Sequence, residues 1–250
     1  MKVHSYTVVH YGKDYISYAL RSIYDYVEQA HIIYTPHPSH GHQTNQQPIE
    51  TRDEIQAAAL AYDPDSKIRW YDIRGAYHEG QHRDQAVQIC KDSGAEMILV
   101  VDYDEVWQEN TLKLALSYAW DENKAREWRI NFTHLWKSFD WACYDQGWPA
   151  RIWDLRHNDD SIAYIPKTLG EIYHFGYAIR DEVMRYKISI HGHKNEMREG
   201  WLDNQWAAWP PAEDCHPTNE EGFWNPAKID KHELPMVMRE HPYYDQERIE

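Results

Sequence analysis

The chain has 250 residues, a formal net charge of -15 and three cysteines that lie far apart, a length that allows one large domain with a substantial apolar interior. The excess of acidic residues argues against broad, nonspecific nucleic-acid binding, which needs clustered Lys and Arg. The cysteines are odd in number and widely spaced, so they fit neither a disulfide framework nor a Cys-x-x-Cys zinc site. No run approaches the roughly 20 apolar residues of a membrane helix, and the start lacks the apolar run of a secretory signal, so we expect a cytoplasmic protein without a membrane span.

The first hundred residues alternate predicted strands and helices. Strands are predicted at residues 3–9, 31–35, 68–73 and 97–101. Helices are predicted from 16 to about 28, from about 52 to 61 and from about 80 to 92, where apolar residues recur at three- and four-residue spacing. This alternation predicts an α/β fold with a doubly wound, mostly parallel, Rossmann-like sheet. Right-handed crossovers would bring the carboxyl ends of its strands to one edge.

Two carboxylates, Asp102 and Asp104, follow directly after the apolar run at 97–101. A run of this kind is typical of a strand that is buried on both faces. A locally extended chain would point both carboxylates the same way at the carboxyl end of that strand, where open α/β sheets bind ligands. Two such oxygen ligands suit a hard divalent cation, Mn²⁺ or Mg²⁺. The alternative is a solvated acidic turn, because Asp is favoured in turns.

The second half of the chain is richer in Trp and in short strands. The whole chain has 12 Trp and 19 Tyr against 4 Phe, and such rings either stack on sugars or bases or pack in the core. A helix is predicted around Leu112 to Ala119, further strands are predicted at 128–136, 151–155, 162–165 and 172–175, and another helix is predicted at 181–188. We expect these added strands to cover the sheet edge, and we expect an irregular C-terminal segment from Trp209 onward.

Several segments resemble the GT-A-fold glycosyltransferases, in particular the small family-2-like nucleotide-sugar transferases with an Asp-x-Asp motif. They are Gly-Gln-His-Arg-Asp-Gln-Ala at 80–86, Ser-Gly-Ala-Glu at 93–96, Val-Val-Asp-Tyr-Asp-Glu at 100–105 and Tyr-His-Phe-Gly-Tyr at 173–177, with the segment 180–187 after it. The resemblance implies a GT-A-like sheet. Residues 1–120 would then form the nucleotide-sugar-binding half, and residues 121–250 would form the acceptor-side half and C-terminal tail of the same domain.

The resemblance also implies a nucleotide site. Val9 and Thr35, at the ends of the first two strands, would lie against the base, and Arg83 would contact the nucleotide. Asp102 would lie near the ribose or the diphosphate. An Asp or Glu often ends the second strand in this family and reads the base, but here Thr35 stands at that position. The choice between a UDP-linked and a GDP-linked sugar therefore stays open, and an exposed helix charge is the alternative for Arg83.

The same resemblance implies a metal site. Asp104 would ligate Mn²⁺ or Mg²⁺, and His174 would complete the site, since imidazole is a suitable ligand for Mn²⁺ beside carboxylates. His191, in the run His-Gly-His, offers a competing ligand because alternate residues of a strand project to one face. A polar turn at the surface is the alternative for His191, and a structural role is the alternative for His174.

An inverting transferase also needs a general base, usually Asp or Glu, within reach of the acceptor hydroxyl. Glu171, Glu199 and Asp203 lie in the half where acceptor contacts are expected. We favour Asp203, because it follows Trp201, an aromatic residue that could stack on a sugar. A solvated carboxylate is the alternative for each, and the spacing does not reveal whether the product retains or inverts the anomeric configuration.

We therefore predict a metal-dependent glycosyltransferase that moves a sugar from a nucleoside-diphosphate sugar to a hydroxyl acceptor, in the first instance a glycan. The acidic charge disfavours a nucleic-acid acceptor. One alternative is a non-catalytic carbohydrate- or nucleotide-binding protein of the same fold, which would leave Asp102 and Asp104 unexplained. Another is a metal-dependent phosphoryl-transfer enzyme, either a hydrolase or a nucleotidyltransferase. Against the latter, the sequence has no Gly-x-x-x-x-Gly-Lys-Ser/Thr loop and no His-Glu-x-x-His helix.

Overall fold

The structure is a computed structural model that describes residues 1–38, 44–73, 78–144, 147–190, 192–218 and 224–250. Its strands are β1 (Val3–Val9), β2 (Gln29–Tyr34), β3 (Ile68–Asp72), β4 (Met97–Val100), β5 (Glu105–Trp107), β6 (Glu127–Arg129), β7 (Phe132–Trp136), β8 (Trp141–Tyr144), β9 (Ala150–Asp154), β10 (Ile162–Tyr164), β11 (Ile172–Tyr177) and β12 (Ala227–Lys228). Its α-helices are α1 (Ile16–Ile23), α2 (Arg52–Ala59), α3 (Glu79–Asp92), α4 (Glu109–Glu122) and α5 (Asp181–Ile190).

The first four strands form the parallel part of a seven-stranded sheet, in the order β3-β2-β1-β4 with β3 at one edge. Strand β4 is buried along its whole length, as its continuous apolar run predicts for a strand covered on both faces. Met97 and Leu99 pack in the core that includes α1, whereas Ile98 and Val100 pack with α3 on the other face. The predicted α/β fold with a doubly wound, mostly parallel sheet is therefore confirmed.

Strands from the second half extend this sheet and also build a second one. Strand β9 pairs antiparallel with β4, and β6 and β10 continue the sheet beyond it. The second sheet has five strands in the order β12-β8-β7-β11-β5. The single strand predicted at 128–136 is wrong, because Ile130 and Asn131 carry the chain from β6 in the first sheet to β7 in the second. An alternating pattern continues across such a change of sheet and does not reveal it.

A second apolar core, rich in tryptophan, lies under the five-stranded sheet. Trp201 is 2% exposed, packs against Trp136 and Trp206, and donates a hydrogen bond from Nε1 to the Cys215 carbonyl at 2.9 Å. The expectation that Trp201 stacks on a sugar is therefore wrong, because its ring is enclosed by other aromatic rings.

The C-terminal segment is irregular, as predicted, and it lies against the first helix and the second sheet. His241 and Tyr243 contact Asp14 through hydrogen bonds of 2.9 Å each, and the Ile249 amide donates to the Lys137 carbonyl at 2.7 Å. Within the described ranges, no helix combines the length and apolar character needed to cross a membrane.

Candidate active site

The acidic pair lies in a tight turn that connects the two sheets. The Glu105 amide donates to the Asp102 carbonyl at 3.0 Å, which closes the turn between β4 in the first sheet and β5 in the second. Asp102 and Asp104 therefore contact different neighbours. The prediction that an extended chain points both carboxylates the same way is wrong, because the chain changes sheet at this point.

Asp102 belongs to a charge cluster that is anchored by Arg151 of β9. The Arg151 guanidinium donates from Nη2 to Asp102 Oδ2 at 2.8 Å and from Nε to Glu105 Oε2 at 2.8 Å, and Nη2 also pairs with Glu105 Oε1. The Arg151 side chain is 6% exposed, that of Glu105 is 0% exposed and that of Asp102 is 35% exposed. Burial raises the pKa of Glu105, and the Arg151 charge opposes this shift. One guanidinium thus holds both ends of the acidic turn.

Asp104 faces the second sheet and contacts His174 of β11. Its carbonyl accepts a hydrogen bond from the Phe175 amide at 2.7 Å, and its Oδ1 lies 3.5 Å from His174 Nε2. His174 Nδ1 in turn lies 2.6 Å from Nδ1 of His134, its neighbour across the parallel strand pair β7 and β11. Burial alone would raise the pKa of Asp104, but the His174 and Lys187 charges lower it to about 2. Asp104 is therefore ionised although it is 3% exposed.

Two glycines make room for this turn. A Cβ atom at Gly176 would lie 2.7 Å from the His174 ring and 2.8 Å from Asp104 Oδ2. Gly12 has φ +130, a conformation that L side chains rarely adopt, and a Cβ there would overlap the Tyr103 ring. The backbone thus approaches the acidic turn from both sides as closely as glycine permits.

A pocket of about 320 Å³ opens beside His174. It is lined by His134, His174, Tyr177, Lys187, His193, Glu196, His216, Pro217, Thr218 and Trp224. Lys187 of α5 donates from Nζ to the Gly176 carbonyl at 2.9 Å. Burial lowers the pKa of Lys187, and Asp104 and Asp102 oppose this shift. Two larger cavities of about 570 Å³ each lie elsewhere, against α1 and α2 and at the start of α4, and no predicted site residue lines either of them.

The residues predicted to bind the nucleotide lie at the carboxyl edge of the parallel strands. Val9 ends β1 and is 1% exposed, and its carbonyl accepts a hydrogen bond from the Thr35 amide at 3.0 Å. Arg83 lies on α3 and pairs with Glu79. Burial lowers the pKa of Arg83, but the nearby Asp102 carboxylate and other groups outweigh this and raise it. The structure thus brings Arg83 within electrostatic reach of Asp102.

The three carboxylates predicted as candidate general bases do not line this pocket. Glu171 directly precedes β11 and accepts a hydrogen bond from Asn131 at 2.9 Å. Glu199 and Asp203 are exposed on the C-terminal side of α5, and Asp203 lies in a π-helical turn, Leu202–Trp206. The described lining of the pocket includes none of these three carboxylates but does include Glu196. His191 lies outside the described residues.

Sequence reasoning missed four residues of this site, namely His134, Arg151, Lys187 and Glu196. His134 and Arg151 reach it through strand pairs whose register the sequence does not reveal. Lys187 lies in the segment 180–187 that the family resemblance singled out and in the helix predicted at 181–188, but neither signal shows that its side chain faces the site. Glu196 has no sequence signal beyond its proximity to the His-Gly-His run.

The geometry fits a divalent cation with two protein ligands. Among the described residues, no group of three His, Cys, Asp or Glu side chains converges as a metal site. Asp104 Oδ1 and His174 Nε2 are 3.5 Å apart, a separation at which two donors can share one ion with bonds of about 2.1 Å. Such a site would leave further coordination positions to phosphate oxygens and water.

Comparisons with known proteins found no matching family model and no matching curated protein. Among solved structures, residues 1–349 of S. aureus TarS in complex with UDP align with a TM-score of 0.45 and 14% identity, covering 76% of this chain and 64% of that one. A second S. aureus TarS structure aligns with a TM-score of 0.45 and 15% identity, covering 81% of this chain and 40% of that one. Residues 1–349 of TarS in complex with UDP-GlcNAc align with a TM-score of 0.44 and 13% identity, covering 70% of this chain and 58% of that one. The chain thus spans less than two thirds of these proteins, and a likeness this weak assigns it no activity or ligand.

Proposed function

We propose that the chain is a metal-dependent glycosyltransferase of the GT-A family, which moves a sugar from a nucleoside-diphosphate sugar to a hydroxyl acceptor. The observation that carries this proposal is the position of Asp104. It is an ionised carboxylate at the carboxyl edge of a parallel sheet, 3.5 Å from His174 and beside a pocket of about 320 Å³. Open α/β sheets bind ligands at this edge, and the pocket has a volume within the range of small-molecule sites.

The donor nucleotide would lie across the ends of β1, β2 and β4. Val9 and Thr35 would contact the base, and Arg83 would contact the nucleotide phosphates. Arg151 fixes one oxygen of Asp102, and the side chain stays 35% exposed, so the carboxylate is available to ribose hydroxyls. We propose that the nucleotide portion of the donor is UDP or GDP. Val9 and Thr35, at these strand ends, do not distinguish uracil from guanine.

The metal ion, Mn²⁺ or Mg²⁺, would be held by Asp104 and His174, and His191 stays a proposed further ligand. When bound, it would stabilise the negative charge that develops on the departing diphosphate. The chain orients its own donors for this task. The contact between the Nδ1 atoms of His134 and His174 directs Nε2 of His174 towards Asp104, as hydrogen bonds commonly orient metal-binding histidines.

The acceptor, which we propose to be a glycan, would enter the pocket between the second sheet and the segment after α5. A carboxylate within hydrogen-bond reach of its hydroxyl would accept the proton. Glu171, Glu199 and Asp203 stay proposals for this base. Glu196 joins them because it lines the pocket and its Oε2 lies 3.0 Å from His193 Nδ1.

Thermal unfolding in the presence of nucleotides tests the proposal. The unchanged chain is measured with UDP, GDP and their sugar conjugates, each with and without Mn²⁺. A ligand at about 100 times its dissociation constant stabilises the fold by roughly 2.7 kcal/mol, so a clear rise of the midpoint is expected with one base and only with Mn²⁺. Asp104→Asn should abolish that rise, whereas Asp121→Asn, an exposed carboxylate on α4, should retain it. No rise with any nucleotide would contradict the proposal.

Product analysis separates the transferase from the two alternatives. A transferase releases the nucleoside diphosphate faster when a glycan acceptor is added, and the sugar appears on that acceptor. A binding protein shows the stabilisation without turnover. A phosphoryl-transfer enzyme instead releases pyrophosphate or phosphate from a nucleoside triphosphate.

A further inference from the structure

Cys143 and Cys215 lie in direct contact within the tryptophan-rich core, although 72 positions separate them in the sequence. Their Sγ atoms are 3.6 Å apart, and both side chains are 0% exposed. A disulfide bond is about 2.05 Å long, so each sulfur would need to move by only about 0.8 Å. Small rotations about the two Cα–Cβ bonds can supply this displacement. The fold therefore brings together two thiols that their spacing in the sequence does not pair.

Both cysteines adjoin the pocket beside His174. Cys143 belongs to β8, where it is the antiparallel partner of His134, one of the residues that line the pocket. Cys215 directly precedes three further lining residues, those at 216–218. We call residues 213–218 the wall segment. A bond between the two sulfurs would join this wall segment to the five-stranded sheet.

The wall segment is held mostly by hydrogen bonds to residues outside the two sheets. The Pro217 carbonyl accepts a hydrogen bond from the Arg198 amide at 2.9 Å, and the Cys215 amide donates to the Trp224 carbonyl at 2.9 Å. The contact with Cys143 instead links the segment directly to a strand. A covalent bond at this contact would therefore restrict the wall segment in a way that its hydrogen bonds do not.

We propose that Cys143 and Cys215 are a thiol–disulfide pair, and that their oxidation fixes the wall segment to β8. The oxidant is a low-molecular-weight disulfide such as oxidised glutathione. One cysteine thiolate attacks it, displaces a glutathione thiolate and forms a mixed disulfide, and the second cysteine thiolate then displaces the other glutathione. The protein thiols lose two electrons and two protons, and one oxidised glutathione becomes two reduced molecules. This inference is independent of the proposed transferase activity.

Burial determines when this exchange can take place. The thiolate is the attacking species, and burial raises the pKa of Cys215 well above its ordinary value. Because both side chains are 0% exposed, glutathione reaches them only while the wall segment is away from β8 or before the chain has folded. The same burial protects the completed disulfide from reductants. Exchange should therefore be slow in the folded chain and fast during refolding.

Thiol counting and peptide mapping on the unchanged chain test the pair. The chain is refolded from denaturant with oxidised and reduced glutathione, alkylated in denaturant and digested. We expect one alkylated cysteine, Cys90, and a linked pair of peptides that contain Cys143 and Cys215, against three alkylated cysteines after full reduction. Oxidation should raise the thermal midpoint by about 4 to 16 °C. It should also slow amide hydrogen exchange in the wall segment by at least about tenfold.

Variants identify the cysteines responsible. Cys143→Ala and Cys215→Ala should each lose the linked peptides and the rise in midpoint, whereas Cys90→Ala, on α3 in a different core, should retain both. Three thiols after refolding, a persistent glutathione adduct or a linkage through Cys90 would overturn the pair. A linkage of Cys143 to Cys215 without slower exchange in the wall segment would overturn its role there. The oxidised and reduced forms of the unchanged chain settle the matter even where a variant fails to fold.

Discussion

Replacement of Arg151 by Met is expected to destabilise the fold strongly, because it removes the cation from a buried cluster. The Arg151 side chain is 6% exposed and that of Glu105 is 0% exposed, so water cannot replace the lost hydrogen bonds. Removing one partner of a buried ion pair costs about 3 to 5 kcal/mol. For a chain of this size, 1 kcal/mol lowers the thermal midpoint by roughly 2 to 4 °C, so the midpoint should fall by about 6 to 20 °C.

The loss of stability should also increase with pH. Burial raises the pKa of Glu105, and Arg151 opposes that shift. Without Arg151, the folded state keeps the Glu105 proton to a higher pH than the unfolded chain does. Because the folded state then binds more protons, its stability falls as pH rises above the ordinary glutamate pKa of about 4.3. In the unchanged chain the pKa of Glu105 is already raised to about 7, so both proteins lose this stability alike up to that pH, and the difference between them should stay nearly constant from about pH 4 to 6 and grow above about pH 7.

Urea unfolding followed by tryptophan fluorescence at several pH values measures this difference. The double variant Arg151→Met with Glu105→Gln removes both buried charges and should recover most of the lost stability. Arg126→Met, which removes the half-buried partner of the exposed Asp160, should change the free energy of unfolding by less than about 1 kcal/mol. A loss below about 1 kcal/mol for Arg151→Met near pH 8, or no recovery in the double variant, would refute the reasoning.

Two further predictions concern the acidic turn. Gly176→Ala places a Cβ atom 2.7 Å from the His174 ring and 2.8 Å from Asp104 Oδ2. It should therefore abolish the Mn²⁺-dependent rise in thermal midpoint with a nucleotide. A retained rise would show that Asp104 and His174 can shift to accommodate the methyl group. In the metal-free chain, the lowered pKa of Asp104, about 2, should contribute about 2 kcal/mol of stability above the ordinary pKa of Asp, near 3.9. This contribution is lost as pH falls towards 2, so unfolding curves of Asp104→Asn and the unchanged chain should converge in acid, and a gap that stays constant would contradict the assignment.

The first half of the fold could be predicted from the sequence because its signals are local. The apolar run at 97–101 and the helical spacing in α1 reflect burial on both faces of one sheet, and each is complete within a short segment. The four parallel strands lie within about two residues of their predicted bounds. The helix predicted to reach about residue 28 ends instead at Ile23, and a 3₁₀ turn follows it, Tyr24–Tyr26.

The site could be predicted only in part, because it depends on pairings between distant strands. Asp104 came from the acidic pair that follows the apolar run and His174 from the family resemblance, and the structure brings them together. Arg151 and His134 enter through strand register, which leaves no mark on the local pattern. The directions of the Asp102 and Asp104 carboxylates depend on the change of sheet after β4. The assignment of Trp201 to a sugar contact is wrong because the exposure of a side chain depends on the whole fold.

The acidic turn draws its support from both sheets, since Arg151 belongs to the first and His174 to the second. Two neighbouring side chains, two residues apart, are therefore held by separate layers of the molecule. For protein engineering, this makes the turn a natural junction for chimaeras. Loops of the second sheet and the segment after α5 could be exchanged to alter what enters the pocket, while β1 to β4 and β9 continue to hold Asp102 in place.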